Sequence, residues 1–347
     1  MKILHDLSFL ELKNEMLALN EKAYRAEQIF TSLHLGNGIS EISNISKALR
    51  EQLLNTYVDF PVKILKKLTS KDGTQKYLFS LSDGNVIEGV FMKNNYGNTL
   101  CLSTQVGCRM GCKFCASTIG GLVRNLTPGE MLANVCLVNK DNGGNIKNRA
   151  VTNIVLMGSG EPLDNYDNVV KFLKLVSHEK GLNVSLRNIS LSTCGLVPEM
   201  FKLADEGLPV NLTVSLHQPF DEKRKQLMPI AKAYKIAEIL KACDNYFEKT
   251  GRRYIFEYSL VSGENNDKES LEELIKILKG RPCHVNIIRL NEVKENNLKS
   301  TTDKEAYAFC DQLVKGGLSA TVRRSFGADI EGACGQLRRS YIENEEN

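Results

Sequence analysis

The 347-residue sequence predicts an α/β protein: a partial (β/α)6-type barrel preceded by a small helical domain and a β-hairpin. Three observations carry this expectation. From residue 99 onward, short apolar strands take turns with amphipathic helical stretches, which implies a parallel sheet covered by helices. Residues 1–75 space their apolar side chains as helices do. Between the two, KYLFSLSDGNVIEGVFM alternates about a Ser-Asp-Gly turn, the pattern of a hairpin.

In chain order, FLELKNEMLALN, YRAEQIFTSLHL and SKALREQLLNTYV are the N-terminal helices, and Pro61 and Lys71-Asp72-Gly73 interrupt the helical pattern. The hairpin extension occupies 76–98. Within 99–325 the strands are TLCLSTQ, VTNIVLMG, NISLSTCG, PVNLTVSLH, YIFEYSLV, CHVNIIRLN and SATVRR. The helices between them include PGEMLANVCLVN, YDNVVKFLKLVSHE, VPEMFKLADEG, IAEILKACDNYFEK, KESLEELIKILKG and EAYAFCDQLVKGG. Residues 326–347 form a C-terminal loop and an acidic tail. In such barrels, sites gather at the C-terminal ends of the strands.

Composition narrows the class. Hydrophobic residues make up 42% and charged residues 25%, ordinary for a soluble globular chain. The start shows no basic-then-apolar leader, and no apolar run reaches the eighteen or so residues of a membrane span, so a cytoplasmic protein without a membrane partner is expected. There, ten cysteines point to metal or redox chemistry rather than disulfide staples. The net charge of +4 says little about partners. The local run Lys63, Lys66, Lys67, Lys71 and Lys76 is either a phosphate-tracking patch or a solvated face.

The chemistry concentrates in CRMGCKFC, where Cys108, Cys112 and Cys115 follow the first barrel strand. A structural zinc site closes with a fourth Cys or His, yet no second pair follows and the five histidines are scattered. Disulfide pairing leaves one thiol over. Three thiolates on a [4Fe–4S] cluster leave one iron open to a ligand. The spacing C-x3-C-x2-C resembles the signature of the radical S-adenosylmethionine (SAM) enzymes. That resemblance implies a radical SAM barrel in which SAM chelates the open iron and is split to a 5′-deoxyadenosyl radical. Gly160 and Glu161, in LMGSGEPLDN, resemble the element that meets the methionyl amine. Ser192, Ser215, Leu216, His217 and Asn291, at or beside later strand ends, are expected to complete the cofactor site. Cys136, Cys194, Cys243, Cys283 and Cys310 read as small core residues.

Taken together, CLSTQVGCRMGCKFC, RNLTPGEM, GSGEPLDNYDNV and ACGQLRR resemble the RlmN/Cfr family across nearly the whole chain. The family's methyl-carrying cysteine matches Cys334, its second cysteine Cys101, and its proton acceptor Glu88. The resemblance implies two SAM per turnover. One methylates Cys334; the other generates the radical that activates that methyl for addition to an adenine carbon. Cys101 then releases the product through a transient disulfide. The implied targets are C2 of adenine 2503 in 23S rRNA and of adenine 37 in tRNA, with a flavodoxin as electron donor and a monomeric enzyme. STIGGLVRNL resembles RlmN more than Cfr, whereas RLNEVKEN and SFGADIEGACGQL depart from the RlmN pattern, so Cfr-type C8 methylation stays an alternative. A zinc-containing RNA-binding protein without catalysis is the alternative from another class.

Overall fold

The computed structural model describes residues 1–290 and 297–330; Asn291 and Cys334 lie outside the described residues. The N-terminal helices are α1 (Phe9–Ala18), α2 (Arg25–His34) and α3 (Lys47–Thr56). Ser8 and Ser46 cap α1 and α3, and Glu11 completes a capping box on α1. Leu12, Phe30, Leu33 and Leu49 from these helices share one buried core with the barrel.

A ten-stranded mixed sheet follows. It starts with an antiparallel extension of β1 (Val62–Thr69), β2 (Gln75–Leu81) and β3 (Val86–Met92), and β3 pairs antiparallel with β4 (Thr99–Leu102). β5 (Gln105–Gly107) and β6 (Leu122–Asn125) form a separate ribbon flanking the cysteine loop. The β2–β3 hairpin turns where the alternation predicted. Val62–Thr69, inside the stretch expected to be helical, is instead a strand. A register shift between Ile64 and Lys66 breaks its period of two, so its apolar residues mimic helical spacing. As the edge strand it exposes Lys63, Lys66 and Lys67, charges that oppose pairing with another sheet.

From β4 the sheet is parallel: β4, β7 (Asn153–Leu156), β8 (Ile189–Thr193), β9 (Asn211–Ser215), β10 (Tyr254–Leu260), β11 (Cys283–Arg289) and β12 (Ala320–Val322), in that order. Pairing runs from β1 at one edge to β12 at the other, so the barrel is partial among the described residues. Helices α4 (Pro128–Asp141), α5 (Tyr166–Val176), α6 (Val197–Asp205), α8 (Ile236–Thr250), α9 (Lys268–Leu278) and α10 (Asp303–Lys315) match the expected amphipathic stretches, and a short α7 (Asp221–Leu227) lies between α6 and α8. In RNLTPGEM, Thr127 and Glu130 form a capping box and Pro128 occupies the first helical turn, which fixes where α4 begins.

The two faces of the parallel sheet differ in kind. One face packs Leu100, Leu102, Ile154, Leu191, Val214, Phe256 and Ile287 into the core. The other carries Cys101, Ser192, Ser215, Glu257, Ser259 and Asn286, because successive side chains alternate across a strand. A lumen filled by packing would show branched apolar residues there. A polar lumen marks space for a polar ligand.

Candidate active site

A cavity of about 300 Å³ opens at the C-terminal ends of the parallel strands, lined by Cys108, Cys112, Cys115, Gly160, Glu161, Ser192, Ser215 and His217, all expected there from the sequence. Leu216 differs. Its side chain is buried in the main core, and only its backbone serves the rim, its N–H donating to the Glu257 carbonyl at 3.0 Å.

The cysteine loop is held by backbone bonds. Cys108 N–H donates to the Gly121 carbonyl at 2.9 Å, and Lys113 N–H to the Leu227 carbonyl of α7 at 3.0 Å. Phe114 sets its edge against the His217 ring, centroids 4.7 Å apart, tying the loop to the end of β9. Burial pushes the Cys108 thiol up to about 12 and raises Cys112 as well. The thiolates that a cluster requires therefore need a cationic partner in this pocket. Cys108, Cys112 and Cys115 line one cavity, and three thiolates are the donor set that leaves one iron of a [4Fe–4S] cluster open.

The GSGEP turn follows β7. Gly160 has φ +108°, and a Cβ there would stand 2.6 Å from the Cβ of Gln105, so this turn tolerates glycine alone. Glu161 is buried, and its oxygens accept from the backbone N–H groups of Cys194 at 2.7 Å and Leu163 at 3.0 Å. Burial still raises its pKa, opposed by those bonds. In this geometry Glu161 organises the rim of β8. Gln105 locks the turn further: its Oε1 accepts from Glu161 N–H at 2.8 Å while its Nε2 donates to Asp164 at 2.9 Å.

His217 sits in the left-handed region at φ +56°, a strained conformation that clusters at functional sites. Its Nδ1 accepts from Ser259 N–H at 2.9 Å, which leaves the proton on Nε2. Burial, reinforced by Arg224, lowers its pKa to about 3, so the ring is a neutral hydrogen-bond donor.

Glu88 and Cys101 lie outside the cavity lining but on the same concave face. Val90 pairs with Cys101, and Glu88 is two residues from Val90. Ser103 Oγ donates to the Glu88 carbonyl at 2.8 Å and accepts from Ser159 N–H at 2.9 Å, linking the strand of Glu88 to the GSGEP turn. The segment leading toward Cys334 docks nearby: Gly327 N–H donates to Asp72 at 3.0 Å, and Asp329 bonds Ser70 and the Lys71 N–H. Among the nine described cysteines, no two are joined by a disulfide.

Several working residues were not foreseen. Cys194, expected in the core, lines the cavity and packs with Cys112, Leu227 and Met228. Arg224, fully buried, donates from Nη2 to the carbonyls of Cys194 at 2.8 Å and Ser215 at 3.0 Å, and from Nε to Leu216 at 3.1 Å. It clamps two adjacent strand ends beside the cysteine loop. Glu257 faces the cavity and accepts from Arg323 at 3.0 Å and Asn286 at 3.1 Å. A carboxylate inside the apolar run YIFEYSLV was the visible signal for Glu257. Two of the basic-run lysines are already engaged: Lys67 pairs with Asp141 at 2.6 Å, and Lys76 is buried 3.5 Å from Glu88.

Residues 102–278 match the Radical SAM superfamily. Proteins from Clostridium perfringens (strain SM101) and Clostridium novyi, each named "Probable dual-specificity RNA methyltransferase RlmN", are 53% and 50% identical to this chain, with 99% of this chain covered in both cases and 99% and 100% of theirs. A solved radical SAM methyltransferase from Sphaerobacter thermophilus superimposes with a TM-score of 0.92 at 39% identity, covering 97% of this chain and 99% of the other.

Proposed function

Because this chain belongs to the RlmN family of radical SAM RNA methyltransferases, we propose that it methylates C2 of adenine 2503 in 23S rRNA and of adenine 37 in tRNA. The observation that supports this reading is the thiol-lined cavity at the strand ends, with Glu88 and Cys101 on the adjoining concave face.

Cys108, Cys112 and Cys115 would hold the [4Fe–4S] cluster. When bound, cluster and SAM supply the radical that functionalises an unreactive C–H bond. The protein's own residues do the rest. Gly160 brings bare backbone to the site, and Glu161 fixes the β8 rim. The neutral His217 offers Nε2–H, while Ser192 and Ser215 offer hydroxyls to the nucleoside. Asn291 would join them. Cys334 would carry the methyl group as S-methylcysteine, because a thiolate is both a good nucleophile and a good leaving group. Cys101 would attack Cys334 to free the product, closing a transient disulfide that reduction reopens. Glu88 would take the ring proton.

A target adenine must leave its stack to reach this face, so folded RNA would be read by shape. Exposed Lys63, Lys66 and Lys71 would meet its phosphates. Two SAM per methylation, a flavodoxin donor, a monomeric state and a cytoplasmic location complete the proposal. No described helix is long and apolar enough to cross a membrane.

The test is mass analysis of RNA digested after reaction with anaerobically reconstituted enzyme. 2-Methyladenosine at both target positions supports the proposal; 8-methyladenosine would move the protein to Cfr-type chemistry.

A further inference from the structure

In the sequence, Lys76 belongs to a basic run, but the fold takes it away from solvent. β2 delivers it to the concave face at 0% exposure, with Nζ 3.5 Å from Glu88 Oε2 on β3. The strand register aligns Lys76 with Val90, and Val90 with Cys101. Lys76 and Cys101 therefore stand in one row across three strands, with Glu88 one step along the same face. On the opposite face, Tyr77, Phe79 and Ile87 are locked in the core.

An enclosed ammonium gives up its hydration, and a protein keeps one only where a partner needs it. The exposed lysines of β1 already guard the sheet edge, so that duty does not explain Lys76. We infer that Lys76 is a positioning residue for Glu88: its ammonium holds the carboxylate on the Cys101 face, aimed to accept a proton from the substrate carbon. In that step the carbon–hydrogen electron pair stays with the ring, the proton passes to a Glu88 oxygen, and Lys76 keeps its own protons. The inference rests on the reading of Glu88 as proton acceptor.

The test compares the reconstituted holoenzyme as wild type, Lys76→Arg, Lys76→Met, Glu88→Gln and the Lys76→Met/Glu88→Gln double variant, measuring kcat, KM for RNA and thermal midpoint. General-base assistance is worth about 100-fold or more, so Lys76→Met should lose at least ~100-fold in kcat with KM within about three-fold. Lys76→Arg should recover ~10-fold or more of that loss, since it keeps the cation. In the Glu88→Gln background, Lys76→Met should cost nothing further. The double variant should melt higher than Lys76→Met alone, which strands a buried carboxylate. If Lys76→Met does not fold, Lys76→Gln, still able to donate to Glu88, takes its place: loss of kcat with KM held supports the inference, and wild-type kcat refutes it. Lys76→Met at wild-type kcat beside an inactive Glu88→Gln overturns the role of Lys76 and leaves that of Glu88. A fully active Glu88→Gln overturns the reading of Glu88 itself. Losses that multiply in the double variant show that Lys76 acts through something other than Glu88.

Discussion

Arg224→Met should loosen the rim on which the cysteine loop rests. The guanidinium is fully buried and makes three hydrogen bonds to the carbonyls of Cys194, Ser215 and Leu216, at 2.8, 3.0 and 3.1 Å. Bonds from a charged donor contribute about 1.5–3 kcal/mol each, so the gross loss is roughly 5–9 kcal/mol. Removing the buried cation relieves a desolvation penalty of several kcal/mol, which leaves a net loss of about 2–4 kcal/mol. At roughly 2–4 °C per kcal/mol for a chain of a few hundred residues, the thermal midpoint should fall by about 5–10 °C. Because α7 also holds Lys113 through the Leu227 carbonyl, the variant should take up less iron on reconstitution. Scanning calorimetry and iron analysis read both effects. A variant that melts within about 2 °C of wild type and binds full iron would refute the view of Arg224 as the clamp of this rim.

Further expectations concern the same framework. Gly160→Ala forces a Cβ to 2.6 Å from Gln105 at φ +108° and should cost about 2 kcal/mol or more, seen in urea unfolding. Cys112→Ala should abolish the brown colour and iron content of the reconstituted protein, whereas Cys194→Ala, outside the expected ligand set, should keep both; equal iron in the two variants would contradict the assignment. His5, His34 and His217 are held near a pKa of about 3 by burial, below the ordinary 6.5. The unfolded chain then binds the extra protons, so stability is full above pH 6.5 and falls as pH drops toward 3. At pH 5 each histidine accounts for about 2 kcal/mol. The apoprotein should therefore unfold in acid well above pH 4, and His5→Phe should flatten the dependence by roughly a third.

The parts of this molecule that follow a simple period were legible in its residues. Apolar strands such as β10 (YIFEYSL) and amphipathic helices such as α9 announce themselves because the sheet is covered on one face and each helix buries one stripe. That Cys108, Cys112 and Cys115 share one cavity was legible because gaps of four and three residues within one loop keep them together. What stayed hidden depends on where charge goes. Lys76, Arg224 and Glu257 lie in segments whose composition reads as surface or strand, and only tertiary register shows that each faces inward. α7 was missed because DEKRKQL reads as a solvated charge run, although its Arg224 and Leu227 are buried. β1 was missed because a bulge shifted its pattern.

If Cys108, Cys112 and Cys115 hold a cluster open to SAM, reduction of the anaerobically reconstituted protein in the presence of SAM should release 5′-deoxyadenosine, counted per chain. Release from a protein carrying ~4 iron atoms, lost in Cys112→Ala, is the predicted result. A colourless protein with one zinc per chain and no SAM cleavage would contradict it.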